Sequence, residues 1–194
     1  MSHLPAEFRA EFAAVGEALR RALAEVLGRD PAAPGGARVV VGVAGESGSG
    51  KSVTAASLAR ALGAAGAPAV VLHQDDYFVR PPRTNHAHRL LDLAHVGPHE
   101  VDLARVAEHV AAFRRGADGV EGPSVDYPRD RFVPRRLDFG AARALVVEGT
   151  YVLRLTELDA RVFLEATHAH TRDRRRAGRA WWWAWPASRG AASR

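Results

Sequence analysis

A glycine-rich segment early in the chain carries the clearest chemistry. It fits the pattern G-x-x-x-x-G-K-[ST] and consists of Gly45, Glu46, Ser47, Gly48, Ser49, Gly50, Lys51 and Ser52. Because glycines have no Cβ, backbone N–H groups there can approach phosphate oxygens, and the N-terminus of a following helix favours the same anion. We therefore expect this segment to bind a nucleoside triphosphate, with Lys51 on its terminal phosphates and Ser52 as a ligand of Mg²⁺.

Lys51 is the only lysine among the 27 lysine and arginine residues of the chain. A bias towards GC-rich codons explains the abundance of arginine, but a flat guanidinium does not fit inside a phosphate-binding loop as a compact ammonium does. The net charge is only +5, and no basic stripe interleaved with aromatic residues occurs before the C-terminal segment. We therefore predict no nucleic-acid partner.

Two adjacent carboxylates, Asp75 and Asp76, follow the apolar run Ala69–His73. At the carboxyl end of a strand, one of them could accept a proton from a hydroxyl group and the other could hold magnesium-bound water. The alternative is an ordinary acidic turn in which an aspartate caps the backbone.

Glu148 follows a second apolar run, residues 144–147. A strand that ends in a carboxylate has the form of a magnesium-binding element, so we expect Glu148 to reach Mg²⁺ directly or through water. The alternative is a glutamate at a strand end before the turn at Gly149.

Apolar patterning predicts the elements that position these residues. Continuous β-branched or apolar runs predict buried strands, and apolar residues at spacings of three and four predict helices. The strands are expected at residues 38–44, 69–73, 144–147 and 162–164, and the helices at 52–62, ending at Gly63, and 101–113. This alternation predicts an α/β fold with a doubly wound, mostly parallel sheet, helices on both faces and ligands at the carboxyl ends of the strands. Residues 120–139 are rich in Pro, Gly, Arg and Asp and predict a hairpin or irregular insertion over that edge.

Three regions are expected along the 194 residues. Residues 1–37 predict an amphipathic helix and a linker, residues 38–176 the catalytic core, and residues 177–194 an atypical tail that contains all four tryptophans. The absence of cysteine excludes disulfides and thiolate chemistry, and no apolar run approaches the ~20 residues of a membrane span. We expect a cytoplasmic protein with no membrane partner, and the paired histidines 86/88 and 168/170 do not predict a zinc site.

Four motifs in order, GESGSGKS, HQDDYF, VVEGTYVL and THAHTRDRRRAGR, resemble those of the uridine kinase and phosphoribulokinase group of P-loop NTPases. That group also includes nicotinamide riboside kinase and bacterial pantothenate kinase. The resemblance extends from Val39 to about Arg176 and implies ATP-dependent phosphoryl transfer to a hydroxyl of a small molecule, most like a nucleoside, with Mg²⁺ as the metal. It implies that Asp75 is the general base and that Arg172 and Arg176 belong to a lid over the nucleotide, whereas Asp76 and Tyr77 match a more variable pair of positions in the family.

The resemblance also suggests acceptor-binding residues. Asp92 lies in a segment that contributes a carboxylate to the ribose hydroxyls in the family, and Pro123-Ser124-Val125-Asp126-Tyr127 resembles its substrate-binding stretch, with Arg131 close by. Val125 stands where uridine kinases usually carry an aromatic residue. A riboside or pantothenate acceptor, or nucleotide binding without transfer, remains an alternative.

The tail differs from the family pattern. After the lid, relatives continue into more helix and a final strand, whereas residues 177–194 here are rich in Trp, Arg, Ala and Gly. GC-rich DNA read in a wrong frame produces such a composition, so the sequence suggests a frameshift or truncation just after Arg176.

Overall fold

A computed structural model describes residues 38–165 of the chain. The predicted N-terminal helix and linker, the lid arginines Arg172 and Arg176 and the tryptophan-rich tail all lie outside these residues. No helix within residues 38–165 is long and apolar enough to cross a membrane.

A four-stranded parallel sheet forms the centre of the described region. Its strands are β1 (Val39–Gly45), β2 (Ala69–His73), β5 (Ala144–Glu148) and β6 (Ala160–Leu164), in the spatial order β2-β5-β1-β6. All seven residues of β1 and all five of β5 are buried, as their continuous apolar runs predict. The central strands therefore have helices or loops on both faces.

Two helices cover opposite faces of this sheet. Helix α1 (Lys51–Ala64) packs Ala55, Leu58 and Leu62 against the side chains of Val39, Val41 and Val43 on β1. Helix α3 (Leu103–Arg114) packs Val106, Val110 and Phe113 against the opposite face, which includes Val40, Ala44 and Leu145. Successive residues of a strand point to opposite faces, which explains this division. The predicted doubly wound α/β fold is confirmed.

Helix α1 does not end at Gly63, as the sequence suggested. It continues to Ala64, and Gly66, with φ of 82°, terminates it. The N–H of Gly66 donates to the carbonyl of Gly63, and the N–H of Ala67 donates to that of Leu62, which is the Schellman arrangement. The terminating glycine is the one whose positive φ lets the chain turn back, because Gly63 keeps helical hydrogen bonding.

The predicted hairpin is present. Strands β3 (Gly119–Asp126) and β4 (Arg131–Asp138) pair antiparallel from Gly119 opposite Asp138 to Asp126 opposite Arg131. The 3₁₀ turn Tyr127–Arg129 and Asp130, which has φ of 48°, connect them.

Helix α2 (Pro82–Leu91) was not predicted from the sequence. Only Asn85 is buried among its residues, so its sequence lacks the apolar face that reveals a helix. Polar contacts hold it instead. The Asp130 carboxylate accepts hydrogen bonds from the N–H groups of Arg83 and Thr84 at 2.7 and 3.2 Å, which caps the helix N-terminus.

A buried carboxylate holds the middle of α2. Glu100 is 1% exposed, and it accepts hydrogen bonds from Asn85 Nδ2 at 2.9 Å, from the Gly97 N–H at 2.9 Å and from Arg89 Nε. Burial alone would raise the pKa of Glu100, but these donors lower it below its ordinary value of 4.5. Glu100 is therefore ionised in the folded protein at neutral pH.

Glu100→Gln is expected to reduce the free energy of unfolding at pH 7 by about 1–3 kcal/mol, because an amide replaces the buried acceptor of three donors. Since the folded-state pKa is lowered, the contribution of Glu100 is present above the unfolded-state pKa and is lost as the pH falls through the folded-state value. Urea unfolding should be measured at neutral pH and at pH values below 4.5. The free energy of unfolding should fall less between these conditions in the variant than in the wild type. Glu108→Gln, at an exposed position of α3, is the matched control, and a similar effect of both changes would contradict the assignment.

Candidate active site

The strand register brings the predicted functional residues to one edge of the sheet. Glu148 pairs with Val43 of β1 on one side and with His73 of β2 on the other. The phosphate-binding segment follows β1, and Asp75 follows β2. Glu148 therefore lies between the segment that contains Lys51 and the turn that contains Asp75.

The phosphate-binding segment forms a tight loop in front of helix α1. Gly48 and Gly50 have φ of 82° and 94°, values at which a Cβ would be strained. Lys51 Nζ donates to the carbonyl oxygen of Glu46 at 2.8 Å, so the ammonium lies across the loop. Ser49 Oγ is buried and has no hydrogen-bond partner within residues 38–165. A lysine, a glycine-rich backbone and a buried hydroxyl without a partner fit a phosphate group.

Ser52 and Glu148 form the candidate magnesium site. Ser52 Oγ donates to Glu148 Oε1 at 3.0 Å, and His73 Nδ1 lies 2.7 Å from the same oxygen. Hydroxyl and carboxylate oxygens are the ligands that Mg²⁺ prefers, and such sites use one or two protein groups with substrate phosphates and water. The described residues contain no group of three or more His, Cys, Asp or Glu side chains arranged to hold a metal.

The two carboxylates at this edge have opposite pKa shifts. Burial raises the pKa of Asp75 above its ordinary value, and the nearby charge of Glu148 adds to this effect. Burial would also raise the pKa of Glu148, but the hydrogen bonds from His73 and Ser52 hold it below its ordinary value. A carboxylate with a raised pKa suits proton transfer, and one with a lowered pKa suits a cation.

Lys51 belongs to the same electrostatic group. Burial lowers the pKa of Lys51, and the carboxylates of Glu148 and Asp75 act against that effect. The ammonium therefore interacts electrostatically with both acids. The structure thus brings together Lys51, Ser52, Asp75 and Glu148, which the sequence predicted from four separate positions.

Asp76 is buried and anchors the hairpin. Its Oδ1 accepts a hydrogen bond from the Val125 N–H at 3.0 Å, which ties the turn Gln74–Tyr77 to strand β3. The predicted acceptor-binding stretch therefore lies against the turn that carries Asp75. The metal-binding function predicted for Asp76 stays a prediction.

Asp126 and Arg131 contact each other at the end of the hairpin. Asp126 Oδ2 lies 3.3 Å from Arg131 Nε and 3.1 Å from a terminal nitrogen of Arg129. Desolvation acts to raise the pKa of Asp126, but the hydrogen bonds from Arg129 and Arg131 together hold it below its ordinary value. Tyr127 begins the turn that connects β3 to β4 and is half-buried. Their contacts with an acceptor stay predictions.

Asp92 lies after helix α2 and is exposed. Its Oδ1 accepts a hydrogen bond from the Ala94 N–H at 2.8 Å, so it caps the short turn Leu93–His95. The other candidate acceptor residues lie on the hairpin, whereas Asp92 lies on a separate element. Its contact with acceptor hydroxyls remains a prediction.

Sequence reasoning gave no function to His73 and Gln74, although both belong to the motif HQDDYF. Both precede Asp75 directly, but an isolated histidine or glutamine at a strand end carries no specific signal. The register of β2 with β5 makes them important, because it places His73 beside Glu148 and leaves Gln74 next to the turn after β5. A comparison of the two strand ends, rather than a motif, could have identified them.

Comparisons with known proteins agree with this geometry. Residues 40–169 match the model of the phosphoribulokinase / uridine kinase family. A bifunctional alpha-galactosidase/sucrose kinase from Mediterraneibacter gnavus is 30% identical over an alignment of 150 residues, and the match covers 71% of this chain. The chain spans 16% of the length of that curated relative.

Two solved structures share the fold. One, from Silicibacter sp. TM1040 and described as a putative fructose transport system kinase, has a TM-score of 0.66 and 25% identity, with 86% of this chain and 82% of that chain covered. The other, from Bacillus stearothermophilus and described as a possible uridine kinase, has a TM-score of 0.64 and 20% identity, with 83% and 85% covered. Together with the family model, the phosphate-binding loop and the Ser52–Glu148 pair identify this chain as a member of the phosphoribulokinase / uridine kinase family of P-loop proteins.

Proposed function

We propose that this protein transfers the γ-phosphoryl group of ATP to a hydroxyl group of a small molecule. The observation that carries this proposal is the convergence of Asp75, with its raised pKa, on Lys51 and the Ser52–Glu148 pair at one sheet edge. A nucleotide switch needs an ordered water, whereas a kinase needs a base for an acceptor hydroxyl. Asp75 provides that base, and the family membership supports the same reaction.

In this proposal, different residues act on ATP and on the acceptor. The loop backbone and Lys51 bind the phosphates, while Ser52 and Glu148 are the groups that would hold Mg²⁺. When bound, the metal neutralises charge on the phosphate oxygens. Asp75 accepts the proton of the acceptor hydroxyl while the oxygen of that hydroxyl bonds to the γ-phosphorus. ADP leaves with the bridging oxygen. Arg172 and Arg176 are proposed to close over the phosphates.

The acceptor has two leading candidates. A nucleoside is the acceptor that the sequence motifs predict, with Asp92, Asp126, Tyr127 and Arg131 as proposed contacts. A sugar is the second candidate. It is favoured by Val125, which offers no aromatic face for a base, and by two similar proteins, one described as a bifunctional alpha-galactosidase/sucrose kinase and the other as a putative fructose transport system kinase.

An acceptor panel separates these candidates. ADP release should be measured with uridine, cytidine, nicotinamide riboside, pantothenate, fructose and sucrose, each at several concentrations. Stimulation by an acceptor supports phosphoryl transfer and identifies its class. Binding of ATP without stimulation by any acceptor would instead favour the nucleotide-binding alternative.

A further inference from the structure

The pairing of strands β2 and β5 ends within the candidate active site. Their last aligned pair is His73 with Glu148, after which both segments of the chain leave the sheet. Asp75 lies two residues after His73, the last residue of β2. Glu148 is itself the last residue of β5. Backbone pairing alone therefore does not fix the distance between the Asp75 and Glu148 carboxylates.

The side chain of Gln74 connects the segments that follow β2 and β5. Gln74 is 0% exposed, and its Oε1 accepts a hydrogen bond from the Tyr151 N–H at 2.7 Å. The bond links residues that are 77 positions apart. It holds the turn after Glu148 against the turn that carries Asp75.

Gly149 permits this contact by its lack of a side chain. A Cβ at Gly149 would lie 2.3 Å from Gln74 Cβ and 2.6 Å from Gln74 Cδ, far inside van der Waals contact. The Gly149 N–H also donates to the Val43 carbonyl at 3.0 Å, which attaches the turn to β1. Gln74 is therefore packed between its own strand end and a turn fixed to the phosphate-loop strand.

The buried amide of Gln74 carries a free-energy penalty that its hydrogen bond to Tyr151 must offset. Its Nε2 is buried and has no hydrogen-bond partner in the described part of the chain, and an apolar side chain of similar size would avoid that penalty. The Tyr151 N–H requires an oxygen opposite it, which fixes the orientation of the amide. The acceptor Oε1 thus explains why an amide occupies this buried position.

We propose that Gln74 is a positioning residue that sets the distance between Asp75 and Glu148, and that it supports turnover rather than ATP binding. The inference rests on the proposed kinase function. Gln74 acts through Asp75 and Glu148 and needs no contact with either substrate.

Gln74→Met tests this inference, because methionine keeps the volume and removes the acceptor. Hydrogen exchange of the Tyr151 amide should become faster by about tenfold, since one hydrogen bond is lost. With the acceptor found in the panel, kcat should fall by about 10²-fold, as expected for a misplacement near 1 Å, while the Kd for ATP stays within about twofold.

Tyr77→Phe is the matched control. Tyr77 lies in the same turn, and its hydroxyl lies 2.8 Å from His109 Nδ1 in the core. This change also removes one buried hydrogen bond, but it does not touch residues 149–151. It should leave Tyr151 exchange and kcat within about twofold of the wild type.

Gly149→Ala provides an independent change at the same contact. It leaves the amide intact and displaces it, so kcat should fall as in Gln74→Met, and the double variant should lose little more than either single variant. Unchanged Tyr151 exchange in Gln74→Met, or a kcat within about twofold of the wild type, would overturn the proposal. A wild type without turnover would contradict the kinase function, and the exchange result would then decide by itself whether Gln74 ties the two turns.

Discussion

Asp75→Asn is expected to reduce phosphoryl transfer by about 10²–10⁴-fold, the contribution typical of a positioned general base. Asparagine keeps the size and much of the polarity of the side chain but cannot accept the proton of the acceptor hydroxyl. ATP binding should stay within about twofold, because the phosphates are held by the loop and Lys51 rather than by Asp75. Removing a carboxylate near Glu148 relieves repulsion, so the fold should not suffer.

The comparison for Asp75→Asn is Asp118→Asn, an exposed position before strand β3. Both variants should be measured for kcat with a saturating acceptor and for the Kd of ATP by calorimetry. A kcat for Asp75→Asn equal to that of Asp118→Asn would show that Asp75 is not the base.

Lys51→Met is expected to lower kcat by about 10²–10³-fold, the loss typical of one group that stabilises transition-state charge. ATP affinity should fall as well, because the ammonium binds the ground-state phosphates. Lys51→Arg should recover little activity, since the guanidinium is larger and flat and the ammonium lies within the loop, 2.8 Å from the Glu46 carbonyl oxygen. This result would explain why a chain so rich in arginine keeps a lysine here.

Arg60→Met is the control for Lys51→Met, because it removes a positive charge from an exposed position of the same helix. Its kcat and ATP affinity should match those of the wild type. An active Lys51→Arg variant would contradict the steric argument, and an active Lys51→Met variant would contradict the assignment of Lys51 to the phosphates.

The sequence was informative wherever a local rule applies. Strands β1, β2 and β5 appear as continuous apolar runs, and the phosphate-binding loop appears as a motif of fixed spacing. The expected full burial holds for β1 and β5 but not for β2, which lies at the sheet edge and is mostly half-buried. The meeting of Lys51, Asp75 and Glu148 could also be predicted, because neighbouring parallel strands deliver their carboxyl ends to one edge.

Long-range polar contacts were not predictable in this way. Helix α2 is held by Asp130 and Glu100 rather than by an apolar face, so its sequence has no periodic signal. The contact of Gln74 with Tyr151 joins residues that are far apart in the chain and depends on the strand register. Such contacts follow from tertiary structure and have no signature within a single segment.

The fate of the γ-phosphate tests the central claim most directly. The wild-type protein should be incubated with ATP labelled in its γ-phosphate and with each acceptor of the panel, and the products should be separated. Our account predicts that the label appears on a hydroxyl of one acceptor class, in amounts equal to the ADP formed. Label found only in inorganic phosphate, or retained in ATP that the protein nevertheless binds, would contradict the account.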